Sequence, residues 1–272
     1  MVRHMIKLCL LIASLTMLCA PATAQDTQQI DNVVAKLLPG WQTKDGSHMA
    51  GLQLTLSPGW KTYWRSPGEA GIPPLFNWSG SENLKSVRIH WPTPAVFQTN
   101  GMQSIGYHDQ VTLPLEVAAL DPTKPVRLHA TVDLGVCKDI CLPASLDLTT
   151  DLNAGGTPDK AIQTALAAQP QEARKAGLAS ISCTVDPIDD GLKITAKIQL
   201  PALGTTETVA FETGQPDIWV AEATSTRTGA TLISATDMVA PTGEPFALDR
   251  SKIKLTILAG KTAVEINGCP AP

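Results

Sequence analysis

Cys137 and Cys141 stand four residues apart in the stretch Asp133-Leu134-Gly135-Val136-Cys137-Lys138-Asp139-Ile140-Cys141-Leu142-Pro143. Two thiols at this spacing can close an inert bridge, exchange that bridge with another dithiol, or hold a soft cation between them. On a straight strand their α-carbons would lie ~13 Å apart, beyond the ~4.4–6.8 Å that a disulfide tolerates. The chain must therefore fold back, and strand-like residues on both sides make Lys138-Asp139-Ile140 a three-residue hairpin loop.

Cys183 and Cys269 bracket a much longer stretch, and chain entropy separates the two pairs. A loop of about five residues contributes only ~2 kcal/mol, whereas one of about 87 residues contributes ~4.6 kcal/mol. The long pair is worth having as a structural staple. The short pair is a poor staple, and a tight hairpin makes such a bridge easier to reduce. Three readings of the short pair stay open on the residues alone. It can exchange, it can be structural, or it can bind copper(I) with His129, His108 or Met102 as further soft ligands. Lys138 favours the thiolate at Cys137 and Asp139 opposes it, so spacing does not choose between the two sulfurs.

The compartment follows from the amino terminus. Arg3 and Lys7 precede an apolar run from Leu8 to Leu18 broken only by Ser14 and Thr16, and Ala22-Thr23-Ala24 offers small residues to a signal peptidase. The run is too short to span a bilayer, which takes ~20 apolar residues. Leu18 is too large for lipoprotein cleavage at Cys19. Residues 1–24 are expected to be a signal peptide, leaving a soluble periplasmic protein. Its removal takes away two of the 21 basic residues and none of the 25 acidic ones, so 19 face 25 and the charge is −6. A net negative chain without basic clusters argues against nucleic acid as a partner. Cys9 and Cys19 go with the leader, and the even number left in an oxidising compartment reads as disulfides.

The elements that must position the cysteines are strands. Leu52, Leu54 and Leu56, then Val87, Ile89 and Trp91, then Val111, Leu113, Leu115 and Val117, then Val132, Leu134 and Val136 alternate with polar residues. That period marks strands with one face on a core. Ser57-Pro58-Gly59, Ser79-Gly80, Pro92-Thr93-Pro94 and Asn100-Gly101 separate the runs as turns. Residues 25–152 are expected to form one β-sandwich. Between Pro158 and Gly177, Ala161, Ile162, Ala165, Leu166 and Ala168 recur at helical spacing, which predicts a helical linker over 153–177. Strand patterning resumes at Ile194, Ala196 and Ile198 and continues to Val264 and Ile266. This suits a second β-sandwich over 178–272. The fold class expected is all-β, two immunoglobulin-like sandwiches joined by a short helical linker.

One further pattern carries a family. Pro58-Gly59-Trp60-Lys61-Thr62-Tyr63-Trp64-Arg65-Ser66-Pro67-Gly68-Glu69-Ala70-Gly71 with Pro73-Pro74, then Trp91-Pro92-Thr93-Pro94, Gly106-Tyr107 and the cysteine stretch, resembles the amino-terminal domain of DsbD-type protein-disulfide reductases. The match is closest to the ScsB branch, linked to suppression of copper sensitivity. It covers roughly residues 40–150, and the second unit is similar to the extra immunoglobulin-like domain of that branch.

The resemblance implies a thiol:disulfide oxidoreductase with no cofactor and no metal. It would relay reducing equivalents from a DsbD- or CcdA-like membrane electron transporter to periplasmic thioredoxin-like proteins. It assigns exchange to Cys137 and Cys141, with Cys141 forming the mixed disulfide, and leaves Cys183 and Cys269 as the structural disulfide. In the family, aromatics shield the thiols until a partner docks, and Tyr63 or Tyr107 would serve so. The membrane and terminal thioredoxin-like domains of the family are not expected in this chain, so either a separate membrane protein reduces it or the branch has drifted toward another task. The runner-up is a non-enzymatic module that binds copper or another protein and carries inert bridges.

Overall fold

The computed structural model describes residues 27–99, 101–244 and 246–272; the leader expected over 1–24 lies outside them. In chain order the first strands are β1 (Thr27–Ile30), β2 (Val33–Gln42), β3 (His48–Leu56), β4 (Lys61–Tyr63), β5 (Leu75–Asn77) and β6 (Leu84–Ile89). They are followed by β7 (Ala95–Thr99), β8 (Met102–His108), β9 (Gln110–Ala119), β10 (Val126–Cys137) and β11 (Cys141–Leu152). These strands make a five-stranded sheet in the order β1-β2-β3-β9-β6 and a six-stranded sheet in the order β11-β10-β4-β8-β7, with β5 beside β10.

Period two explains how the sheets close on each other. Leu52 and Leu54 of β3, Leu113 and Leu115 of β9, and Leu128, Val132 and Leu134 of β10 are all buried in one core, together with Leu146 and Leu148 of β11. The alternate residues on those strands take the opposite face of each sheet. The expected all-β, immunoglobulin-like class is the architecture found.

The helix is shorter than the sequence pattern predicts. It runs over α1 (Lys160–Ala167), capped by the Asp159 carboxylate, which accepts from the amides of Ala161 and Ile162. Gln169-Pro170 ends it, because the residue before a proline is driven out of helical backbone. The helix is docked on the first unit: Ile162 is fully buried beside Gly51 of β3, where a Cβ would come within 2.9 Å of its side chain. Gly177, at φ +87°, closes a separate turn in which the Leu178 amide donates to Ala173 O.

The second unit contains β12 (Gln171–Glu172), β13 (Ser180–Ile188), β14 (Gly191–Gln199), β15 (Thr208–Glu212) and β16 (Trp219–Val220). It is completed by β17 (Thr224–Thr228), β18 (Thr231–Val239), β19 (Lys254–Ala259) and β20 (Thr262–Asn267). One sheet is ordered β12-β20-β19-β15, the other β13-β14-β18-β16 with β17 beside β18. Ile194, Ile198, Phe211, Leu232, Leu255 and Ile257 fill the space between them.

Candidate functional site

Strands β10 and β11 form a hairpin whose register runs unbroken from Val126 opposite Leu152 to Cys137 opposite Cys141. Its loop is Lys138-Asp139-Ile140, closed by the Lys138 amide donating to Ile140 O at 3.0 Å. Cys137 and Cys141 are joined as a disulfide across the last register pair, and Cys183 and Cys269 are joined as well.

The two sulfurs of the hairpin pair differ in surroundings. Cys137 ends an interior strand, paired on its other side with Lys61 of β4, and is only 1% exposed. Cys141 begins the edge strand of the sheet and is exposed. Ile140 in the loop beside it is 64% exposed, an apolar side chain standing in water at the tip. An incoming sulfur can reach Cys141 and not Cys137, whichever way the electrons run.

The face that carries the disulfide is the outer face of the hairpin, where Gly135 and Cys137 share a side. Gly135 is a glycine because that face is covered. A Cβ there would lie 3.0 Å from Ile72 Cβ and 3.2 Å from Tyr63 Cε2. Tyr63, only 3% exposed, sits under the segment Ser66–Ile72, and its hydroxyl is 3.4 Å from Cys141 Sγ. A sulfur held in a disulfide has no proton, so the tyrosine hydroxyl is the donor. Burial pushes the Tyr63 hydroxyl above its ordinary pKa and keeps it in the donating form. Thr62, one residue earlier, points the other way and donates to Gly135 O at 2.9 Å, pinning the hairpin end to β4.

Lys61 lies on the same outer face. Its ammonium donates to Ser104 Oγ at 3.0 Å and sits 5.1 Å from the centroid of the Phe97 ring. Burial pulls its pKa below the ordinary lysine value. With Trp60, His108 and Lys138 it lines a cleft of about 480 Å³ that reaches Cys137. The Lys138 chain folds back over Gly59, whose φ of +82° makes room in the turn before β4.

The sequence expectations meet this geometry unevenly. Tyr63 is at the disulfide. Tyr107 sits opposite Thr62 in β8, faces the core, and donates its hydroxyl to Pro92 O at 2.8 Å. His129 is eight residues up β10 from Cys137, ~26 Å along the strand. There it is bonded to Ser79 O and the Asp147 carboxylate. Met102 and His108 sit at opposite ends of β8, with Met102 exposed. His129 and Met102 are thus not gathered at the cysteines, His108 alone lines the cleft that reaches Cys137, and no group of three or more His, Cys, Asp or Glu that could hold a metal ion exists among the described residues. Sequence reasoning missed Ile72 and Gly135. A glycine inside an apolar strand run was the available signal, since it marks a close approach from another part of the chain.

Fold and site together define a class: an all-β, immunoglobulin-like domain with a disulfide at the tip of an edge hairpin. Residues 34–153 match the family described as thiol:disulfide interchange protein DsbD, N-terminal, and this part of the chain is similar to that family's domain. The fold extends beyond that domain. The chain is similar to the crystal structure of the N-terminal periplasmic domain of ScsB from Proteus mirabilis, with a TM-score of 0.70 and 21% identity, covering 91% of this chain and 98% of that one. No curated protein matches the sequence. No described helix is long and apolar enough to cross a membrane.

Proposed function

We propose that this protein is a periplasmic thiol–disulfide interchange protein that carries reducing equivalents from a membrane electron transporter to thioredoxin-like partners. The observation that carries the reading is the asymmetry of the hairpin pair, an exposed Cys141 beside a buried Cys137. In the reduced protein the Cys141 thiolate attacks one sulfur of a partner disulfide. That S–S bond breaks and its electron pair leaves on the partner's second sulfur. The Cys137 thiol, losing its proton, then attacks Cys141 Sγ and releases the partner's first sulfur as a thiol. The partner gains two electrons and two protons, and the Cys137–Cys141 disulfide is restored. The Tyr63 hydroxyl is placed to donate to the Cys141 thiolate before attack and so to favour it over the thiol.

Trapping tests the assignment. Cys137→Ser leaves Cys141 able to attack and nothing to resolve the product, so a mixed disulfide with an oxidised thioredoxin-like protein accumulates. Cys141→Ser leaves only the buried sulfur and traps far less. Equal trapping by both variants, or none by either, overturns the proposal.

A further inference from the structure

Tyr63 is held at Cys141 by more than its own strand. Of the next two residues, Trp64 is fully buried in the first unit's core cluster, and Arg65 turns to the second unit with its guanidinium 4.3 Å over the Trp64 ring. Arg65 makes a two-pronged pair with Glu212 at the end of β15, Nε to Oε1 at 2.9 Å and Nη2 to Oε2 at 3.0 Å. The same Nη2 reaches Glu265 of β20 at 2.8 Å, and Lys254 of β19 stands 3.4 Å from the other oxygen of Glu265. The guanidinium is only 18% exposed. Burial works against its charge, but the two glutamates outweigh it and hold its pKa above the ordinary value.

The segment that leaves Arg65 is fastened at a second point. The Glu69 carboxylate accepts from the amide of Glu222 at 3.0 Å, again across the boundary between units. Just beyond these ties the chain crosses the Tyr63 ring. Gly71 is so close that a Cβ there would stand 2.9 Å from Tyr63 Cδ1, and Ile72 lies over Gly135. A continuous set of contacts therefore runs from Glu212 and Glu265 through Arg65 and Ser66–Ile72 to the Tyr63 ring, and its hydroxyl ends at Cys141 Sγ.

We propose that the second unit acts on the exchange reaction through Arg65, a positioning residue whose ion pairs with Glu212 and Glu265 hold the Tyr63 hydroxyl at Cys141. The inference rests on exchange at Cys141 and adds to it a role for the second unit. Rigid contact across the boundary fixes the donor before the thiolate forms, so no reorganisation is needed when charge appears on the sulfur.

The test uses the whole chain, reduced and then mixed with dithiodipyridine. The Cys141 thiolate attacks one sulfur of the reagent, and one thiopyridone leaves with the electron pair and takes a proton. Cys137 then resolves the mixed disulfide and releases the second thiopyridone. Arg65→Gln is expected to slow the first step at neutral pH about fivefold and to raise the pH at which it reaches half its maximal rate. Glu212→Gln with Glu265→Gln should do the same from the far side of the boundary, and Arg65→Lys should recover part of the loss.

The deciding arm is the Tyr63→Phe background, where Arg65→Gln should have no further effect, because a positioning residue acts only through the group it positions. Wild-type rates in both the arginine and the double-glutamate variants overturn the inference, as does full slowing by Arg65→Gln in the Tyr63→Phe background. Failure of the exchange reading looks different. There the reduced wild-type protein passes nothing to an oxidised thioredoxin, whatever stands at position 65, and the positioning role falls with it.

Discussion

Cys137–Cys141 spans a sequence separation of four at the tip of an edge hairpin, whereas Cys183–Cys269 spans 86 and lies within the core of the second unit. Both are bonds between the same two atoms. What separates them is setting. At the hairpin one sulfur is exposed and the other buried, while both Cys183 and Cys269 are walled in by Ile194, Ile198 and their neighbours. A buried bridge over a long loop restricts the unfolded chain and is out of reach of other thiols. An exposed bridge over a short loop restricts very little and is open to attack.

The strongest way to break this contrast is to delete each bridge in turn. Cys183→Ser with Cys269→Ser should cost up to ~4.6 kcal/mol and loosen mainly the second unit. Cys137→Ser with Cys141→Ser should cost ~2 kcal/mol at most. Denaturant unfolding of the two variants measures both, and equal losses would remove the division of labour.

Access gives the next largest effect. Attack on Cys183–Cys269 requires the second core to open locally, whereas attack on Cys141 does not. A mild dithiol should open the hairpin bridge on the order of 100-fold faster, the equivalent of ~2.8 kcal/mol of local opening. Timed alkylation and peptide mass mapping follow each pair. Both opening together, or any cross-pairing, would contradict the assignment.

Within the hairpin the comparison sharpens to a single hydroxyl. Tyr63→Phe keeps the ring that packs beneath Ser66–Ile72 and removes the donor 3.4 Å from Cys141 Sγ. Losing that hydrogen bond should cost ~1 kcal/mol of thiolate stability, roughly a fivefold slower exchange near neutral pH. The rate should recover at alkaline pH, where Cys141 ionises without help. The pH profile of Cys141 alkylation reads this directly, and an unchanged profile would show the hydroxyl to be a bystander.

The smallest effect is on alkaline stability. Burial raises the pKa of both tyrosines in the chain, Tyr63 and, more strongly, Tyr107, above the ordinary ~10. As pH rises past ~10 the unfolded chain gives up these protons first, so stability present below that pH is lost as pH climbs toward the folded values. Tyrosinate absorbance should therefore appear only above the ordinary range and together with unfolding. Tyr63→Phe should make the loss shallower.

Much of this protein is legible in its residues because strands obey a local rule. The alternation of Val132, Leu134 and Val136 placed β10. Two cysteines too far apart on a straight strand required the hairpin. Loop length alone set the expected order of the two bridges. The long reach of helical spacing toward Gly177 misled, because Pro170 ends the helix near Ala168 and one turn after β12 uses the glycine instead.

What needed the tertiary structure was every relation that depends on register or on contact between distant segments. Tyr63 and Tyr107 are both strand aromatics near the cysteine stretch, and sequence offers no way to rank them. In the sheet they face opposite sides, one reaching Cys141 Sγ and the other Pro92 O. Cys137 and Cys141 are chemically alike in sequence and become unlike only because β10 is interior and β11 is an edge. Arg65 reads as a solvated charge beside a turn until Glu212 and Glu265, 147 and 200 residues away, are brought to its guanidinium. Period and loop length are properties of neighbours along the chain, so the residues determine them. Which face meets which, and which charge finds a partner, depends on how the two units pack, and only the folded molecule decides that.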